Sequence, residues 1–121
     1  MAKLSEADKK MIAELGPALV ATASKTGKPN VSPKGSFQVL DDEHVIFADI
    51  ASPRTIANLR ENPQLSAIVF DPSTRKRCRI WGTAEILDSG DLFKTISDKY
   101  AQQGRKINHV VNIKVEEVVT S

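Results

Sequence analysis

One cysteine, Cys78, stands in 121 residues. A lone thiol excludes an internal disulfide and leaves no cysteine cluster for zinc or an iron–sulfur centre. The two histidines, His44 and His109, are isolated from each other and from any residue at metal-ligand spacing. Each reads as a surface or strand-pairing residue. Aromatics make up 5% of the chain and the net charge is only +2. Both values argue against a nucleic-acid or polyanion binder, although a basic patch at Arg75–Arg79 keeps that class open. No apolar run approaches the ~20 residues of a membrane-spanning helix. The opening MAKLSEADKK carries charges with no hydrophobic stretch behind them, so no secretory signal is expected and the cytoplasm is the default compartment. There is no repeat, low-complexity segment or linker, and the length fits one domain over residues 1–121. No nucleophile stands beside a base, and Asp41-Asp42-Glu43 reads as a turn. Any redox or transfer chemistry must then come from a cofactor, which the protein binds and orients.

What is present is concentrated in Phe47–Pro63, FADIASPRTIANLRENP. Ser52 is placed to cap a helix, and Pro53 falls at the first helical position, where its missing N–H costs nothing. Arg54 and Thr55 follow on the same turn. Unpaired N–H groups, the positive end of the helix dipole, a guanidinium and a hydroxyl would converge on one point, which describes a phosphate site. A cap that binds only water has the same local sequence. Ile56 and Leu59 would seat the helix on a sheet, and Asn62-Pro63 ends it.

Along the chain, Ser5–Gly16 reads as a helix opened by a capping box with Asp8 in the acidic position, a lid for an open barrel end. Strands are expected at Ala18–Ser24, Asn30–Leu40, His44–Ile50, Gln64–Phe70, Arg75–Leu87 and Ile107–Val119. A helix capped by Asp88-Ser89 should run to about Gln103 and stop at Gly104. In the fifth strand Cys78, Ile80, Gly82, Ala84 and Ile86 share one face, and Arg77, Arg79, Trp81, Thr83 and Glu85 the other. Six closely spaced strands with helices only at three joints predict a mainly β fold, an antiparallel barrel with peripheral helices.

The second strand is interrupted by Pro33 and Gly35. Within Ser32-Pro33-Lys34-Gly35 these residues release backbone groups from a ladder, which suits either a flat heteroaromatic ring or a barrel corner. Lys34, Arg54, Thr55, Arg77 and Arg79 are the polar groups available to a phosphorylated ligand, or else solvated surface residues. Trp81 reads as a core or dimer-interface anchor, or as a residue that stacks on a ligand.

The order strand–SPKG–strand–ASPRTIANLRENP–strand–RIWGTAEIL resembles the FMN-binding split-barrel family related to pyridoxamine 5′-phosphate oxidase. The shared pattern is Arg54-Thr55, Asn58-Leu59, Asn62-Pro63, then Arg79-Ile80-Trp81-Gly82, and the likeness spans about residues 10 to 118. The resemblance implies a homodimer of six-stranded split barrels with FMN at the interface. It implies phosphate on Arg54, Thr55 and Asn58, and the flavin ring and ribityl chain bordered by Ser32–Gly35 and by Ala48, Asp49 and Ile50. Arg77 and Arg79 would reach across from the partner subunit. The function implied is a flavoprotein oxidoreductase that passes hydride or electrons from a reduced donor to a small acceptor. A non-catalytic FMN carrier, or a split barrel holding deazaflavin or haem, are the alternatives. True pyridoxamine-phosphate oxidases carry a longer C-terminal part that holds the substrate, so that activity is not expected of this sequence.

Overall fold

The computed structural model describes residues 2–121. The elements run α1 (Glu6–Glu14), β1 (Ala18–Ala23), β2 (Pro29–Lys34), β3 (Gln38–Asp41), β4 (His44–Asp49), α2 (Pro53–Glu61), β5 (Gln64–Phe70), β6 (Arg77–Leu87), α3 (Asp91–Ala101) and β7 (His109–Thr120). The seven strands form one antiparallel sheet in the order β2-β1-β5-β6-β7-β4-β3. No helix among the described residues is long and apolar enough to cross a membrane.

The fold is mainly β, as expected, but it has seven strands rather than six. The segment read as one kinked strand, Asn30–Leu40, is two. Its first half pairs with β1 and its second with β4, which places them at opposite edges of the sheet. The chain therefore crosses between the two edges at Gly35–Phe37 and closes the sheet into a split barrel. One side chain substitutes for the missing ladder at this seam. Ser36 Oγ accepts the Ala48 N–H at 2.9 Å and donates to the Ala48 carbonyl at 3.2 Å.

Proline placement follows from the ladder. Pro33 stands opposite Leu19 and Pro29 opposite Ala23 on the edge strand β2. A proline has no N–H to give, so these are the positions whose backbone points away from β1. The same prolines blunt an edge that would otherwise template further pairing.

Burial alternates along the strands of one half of the sheet. Val20, Ala67, Val69, Cys78 and Ile80 point inward with Val45, Phe47, Val111 and Ile113. Strand β4 is buried on both faces: Ile46 and Ala48 turn outward under α3, where Ile96, Tyr100, Ile107 and Val110 cover them. Helix α1, with the residues leading into it, packs on the barrel through Ile12 and Leu4. Its capping box is formed, with Asp8 N–H donating to Ser5 Oγ at 3.0 Å and Ser5 N–H to Asp8 Oδ2 at 2.9 Å. Thr120 Oγ1 donates to Asp8 Oδ1 at 2.6 Å and so ties the end of β7 to α1. Helix α3 begins later than expected. Gly90, at φ +93°, takes the N-cap position and Asp88-Ser89 make no capping bond.

Gly82 is needed for space. A bulge between Trp81 and Gly82 brings β7 against β6, and a Cβ at Gly82 would lie 2.4 Å from the Lys114 carbonyl oxygen.

Candidate functional site

The seam creates a cleft. Pro33–Ser36 form one wall, Ala48, Ile50, Ala51 and Ser52 another, and Tyr100 at the end of α3 with Gln103 and Arg105 just beyond it the third, around about 420 Å³. That volume lies in the ~300–1,000 Å³ range of small-molecule sites. Gly35 has no heavy atom within 4 Å of where a Cβ would stand, and its backbone groups engage no partner among the described residues. Unused backbone donors and acceptors at an open seam are what a planar heterocycle needs.

Lys34 lies at the base of this cleft and is only 6% exposed. Its ammonium donates to the Ser52 hydroxyl and packs 5.5 Å from the Phe47 ring centre. Burial pushes the ammonium below the usual lysine value, and the Asp49 carboxylate nearby opposes that shift. The expected Ser52 cap is therefore not made: Ser52 is committed to Lys34 and its side chain gives no hydrogen bond to the helix. With Pro53 lacking an N–H, the N–H groups of Arg54 and Thr55 open α2 without a partner among the described residues. A buried cation beside the positive end of a helix is unfavourable by itself and suits an anionic group.

The remaining candidates divide. Ser32 is half-buried on β2, on the inward side with Lys34. Arg54 is exposed and lines a smaller cavity of about 140 Å³ with Asn58, Asn30 and Lys28. Asn58 donates to Thr22 Oγ1 at 3.1 Å. Thr55 is 1% exposed and points into the fold, so its hydroxyl is closed to a ligand at the surface. Asp49 turns away from the cleft, 3% exposed, and accepts from Ser52 N–H at 2.9 Å and from His109 Nδ1 at 2.7 Å. Arg77 and Arg79 are exposed on the outer face of β6, with β5 and β1 between them and β2. The Arg79 guanidinium lies 5.3 Å over the Trp81 ring. Within one subunit these two arginines do not reach the cleft.

Sequence reasoning missed the α3 residues of the cleft and the pairing of His109. His109 is not isolated: β4 and β7 place it directly opposite Asp49. No local signal announces a contact between residues sixty positions apart. His44 also has a partner, Asp41 at 2.8 Å, within an exposed turn. No cluster of three or more metal-ligating residues occurs among the described residues.

Comparison with known proteins agrees with this architecture. The family model described as pyridoxamine 5′-phosphate oxidase matches residues 4–120. The protein MJ0282 of Methanocaldococcus jannaschii is 33% identical over 108 residues, which covers 82% of this chain and 68% of that one. The crystal structure of HupZ from Group A Streptococcus superposes with a TM-score of 0.88 at 28% identity, covering 96% of this chain and 92% of that chain. An FMN-binding protein of Syntrophomonas wolfei superposes with a TM-score of 0.84 at 16% identity, covering 97% and 84%, a likeness of fold. The chain belongs to the pyridoxamine 5′-phosphate oxidase-like, FMN-binding split-barrel family.

Proposed function

We propose that residues 1–121 act as a single split-barrel domain that binds FMN in the seam cleft and works as an oxidoreductase, passing hydride or electrons from a reduced donor to a small acceptor. One observation carries this reading. A buried lysine ammonium meets the uncapped N-terminus of α2 at the base of a cleft whose glycine wall offers free backbone groups. The cationic corner suits a phosphate and the wall suits a flat ring. FMN, when bound, supplies the electron transfer that no side chain here can perform. Arg54 and Asn58 would bind the phosphate, with Lys34 as the second positive charge. Ser32, Pro33 and Gly35 would border the ring from β2, and Ala48 and Ile50 from β4. Thr55 and Asp49 would support the site from beneath it. N–H donors near the ring and cations near the phosphate favour the reduced, anionic form of a flavin.

The proposal includes a homodimer. The outer face of β2, β1, β5 and β6 exposes Val31, Leu19 and Phe70 at 65%, 46% and 46%, beside the half-buried Ile68 and Trp81. These side chains lie in adjacent register rows, so they form a continuous apolar surface of the kind a partner covers. Arg77 and Arg79 stand on that face. A two-fold partner would carry them toward the other subunit's cofactor, which one subunit alone cannot do.

The visible spectrum of the purified protein tests the reading. Flavin bands that bleach with NAD(P)H are the expected result, and flavin bands that no reductant of this kind bleaches would leave a carrier. A haem Soret band or a deazaflavin spectrum would replace FMN with that ligand in the same cleft. A colourless protein that ignores added FMN would overturn the proposal.

A further inference from the structure

A second cavity, of about 380 Å³, lies behind the cofactor cleft and shares Ala51 and Ser52 with it. Its floor is apolar, built from Ala51, Pro53, Ile56 and Ala57, and Arg60 and His109 stand at its rim. The imidazole is held from below. His109 Nδ1 is 2.7 Å from Asp49 Oδ2, and Asp49's other oxygen is taken by the Ser52 N–H. Asn108 fixes the start of β7, with its N–H on the Asp49 carbonyl at 2.8 Å and its Nδ2 on the Ile50 carbonyl at 3.0 Å. On the far side, Arg60 Nη2 lies 3.3 Å from His109 Nε2.

These contacts fix the ring's protonation. A guanidinium offers only donors, so Nε2 must be the acceptor and the proton sits on Nδ1, facing Asp49. The ring is neutral in this arrangement. Both Asp49 oxygens are occupied, and Arg60 pairs with no carboxylate among the described residues. The uncompensated charge at the rim is therefore positive, and it stands over an apolar floor.

We propose that this cavity binds a small organic carboxylic acid with an apolar body. The carboxylate would enter between Arg60 and His109 and accept the guanidinium's paired N–H groups, with its apolar part on Ile56 and Pro53. A carboxylate oxygen beside Nε2 needs an N–H there, so one proton is taken up from solvent as the carboxylate binds. The proton bonds to Nε2, and buried Asp49, already hydrogen-bonded to Nδ1, balances the new positive charge. Among the described residues, the charged groups facing the ring are Asp49 from β4 and Arg60 from α2, and Lys34 acts on Asp49 from β2. The site stands whatever ligand the neighbouring cleft holds.

Benzoate serves as the probe, followed by amide chemical shifts on the full chain at pH 6 and pH 8. Saturable shifts should appear at Ile56, Ala57, Arg60 and Asn108, with tighter binding at pH 6. Arg60→Gln, a change on an exposed position, should weaken binding about tenfold or more. His109→Asn should bind benzoate with no difference between the two pH values. Absence of saturable shifts at these residues would overturn the proposal, as would unchanged affinity in Arg60→Gln. Inorganic phosphate giving the same shifts as benzoate would overturn the requirement for an apolar body.

Discussion

Gly82→Ala tests whether the family's Arg-x-x-Gly pattern serves the fold or the ligand. A Cβ at Gly82 would lie 2.4 Å from the Lys114 carbonyl oxygen and 2.7 Å from Ile113 Cγ2. Ordinary contacts for such pairs are more than 3.4 Å. The overlap is therefore about 1.0 Å on the carbonyl oxygen and about 0.7 Å on the methyl. Neither neighbour can yield locally. The Lys114 oxygen is backbone at the β6–β7 bulge, and Ile113 is fully buried in the central core. Relief requires β7 to move along its contact with β6, which disturbs the longest pairing in the sheet. Overpacking of this kind costs about 1–3 kcal/mol where side chains can adjust, so with a rigid strand the expected loss is about 3 kcal/mol or more. With a urea dependence of about 1.5 kcal/mol per molar, the unfolding midpoint should fall by about 2 M. The melting temperature should fall by roughly 10 °C. FMN affinity of the protein that remains folded should be unchanged, since Gly82 lines neither the cleft nor the Arg54 cavity. A midpoint within 0.3 M of the wild type would refute the steric argument. An intact midpoint with lost FMN affinity would assign the glycine to the ligand instead.

Other perturbations read the remaining parts of the argument. Arg54→Ala should weaken FMN binding by about 1–3 kcal/mol in a fluorescence titration, the worth of a charge-assisted phosphate contact. Lys34→Met removes a buried ammonium and should weaken FMN binding while raising the urea midpoint of the unliganded protein. Because burial sets the folded-state value below the unfolded 10.5, the unfolded chain holds more protons in the window between the two. Wild-type stability should therefore climb through that window relative to Lys34→Met, as midpoints measured from pH 8 to 10.5 will report. Asp8→Ala should cost about 1–2 kcal/mol through the lost Ser5 N–H bond of the capping box and the lost Thr120 bond, while the Ser5 cap on the residue-8 N–H stays. Burial pushes the Asp8 carboxyl up, but bonds from Thr120 and Ser5 outweigh this and hold it below 3.8. Its stabilisation is thus present above about pH 4 and lost as acid titration passes the lower folded value, a slope that Asp8→Ala should lack. Phe70→Glu places a charge on the exposed apolar face and should convert the proposed dimer to monomer in sedimentation, with the monomer's fold retained.

Most strands were legible because the side-chain period of two is local. The alternation from Arg77 to Ile86 predicts which face is buried; burial follows it from Arg77 to Gly82, and beyond the bulge Ala84 and Ile86 are half-buried against the core. The extra strand escaped because a period cannot show a change of partner. Asn30–Leu40 keeps an extended path, yet Lys34 pairs opposite Ala18 and Gln38 opposite Ile46. The inward turn of Thr55 is readable in the sequence. Leu59 is buried, and the position four residues before it on a helix lies on the same stripe, so Thr55 belongs with Ile56 on the inner face. Ser52 illustrates a different limit. Its neighbours specify a cap, but a lysine from another strand takes the hydroxyl first.

Two of the cleft walls, Pro33–Gly35 and Ala48–Ile50, have different sources in the sequence: the proline and glycine that interrupt a strand single out the first, and only the family resemblance points to the second. The third wall has neither signal, since Tyr100 reads as helix core and Gln103 and Arg105 as a helix end. Their role depends on α3 packing over Ala48, which is a tertiary fact. The Asp49–His109 pair is the extreme case. The family resemblance sets Asp49 beside the flavin together with Ala48 and Ile50. On a strand, adjacent residues face opposite sides, so a wall formed by Ala48 and Ile50 requires Asp49 to point away from it. What it points toward is decided by the register of β4 on β7, set by buried Val110, Val111 and Ile113 along β7 rather than by either polar residue. The same alternation that gives the cleft its apolar wall thus delivers a buried carboxylate to the opposite side, and the second cavity follows from the first by the geometry of one strand.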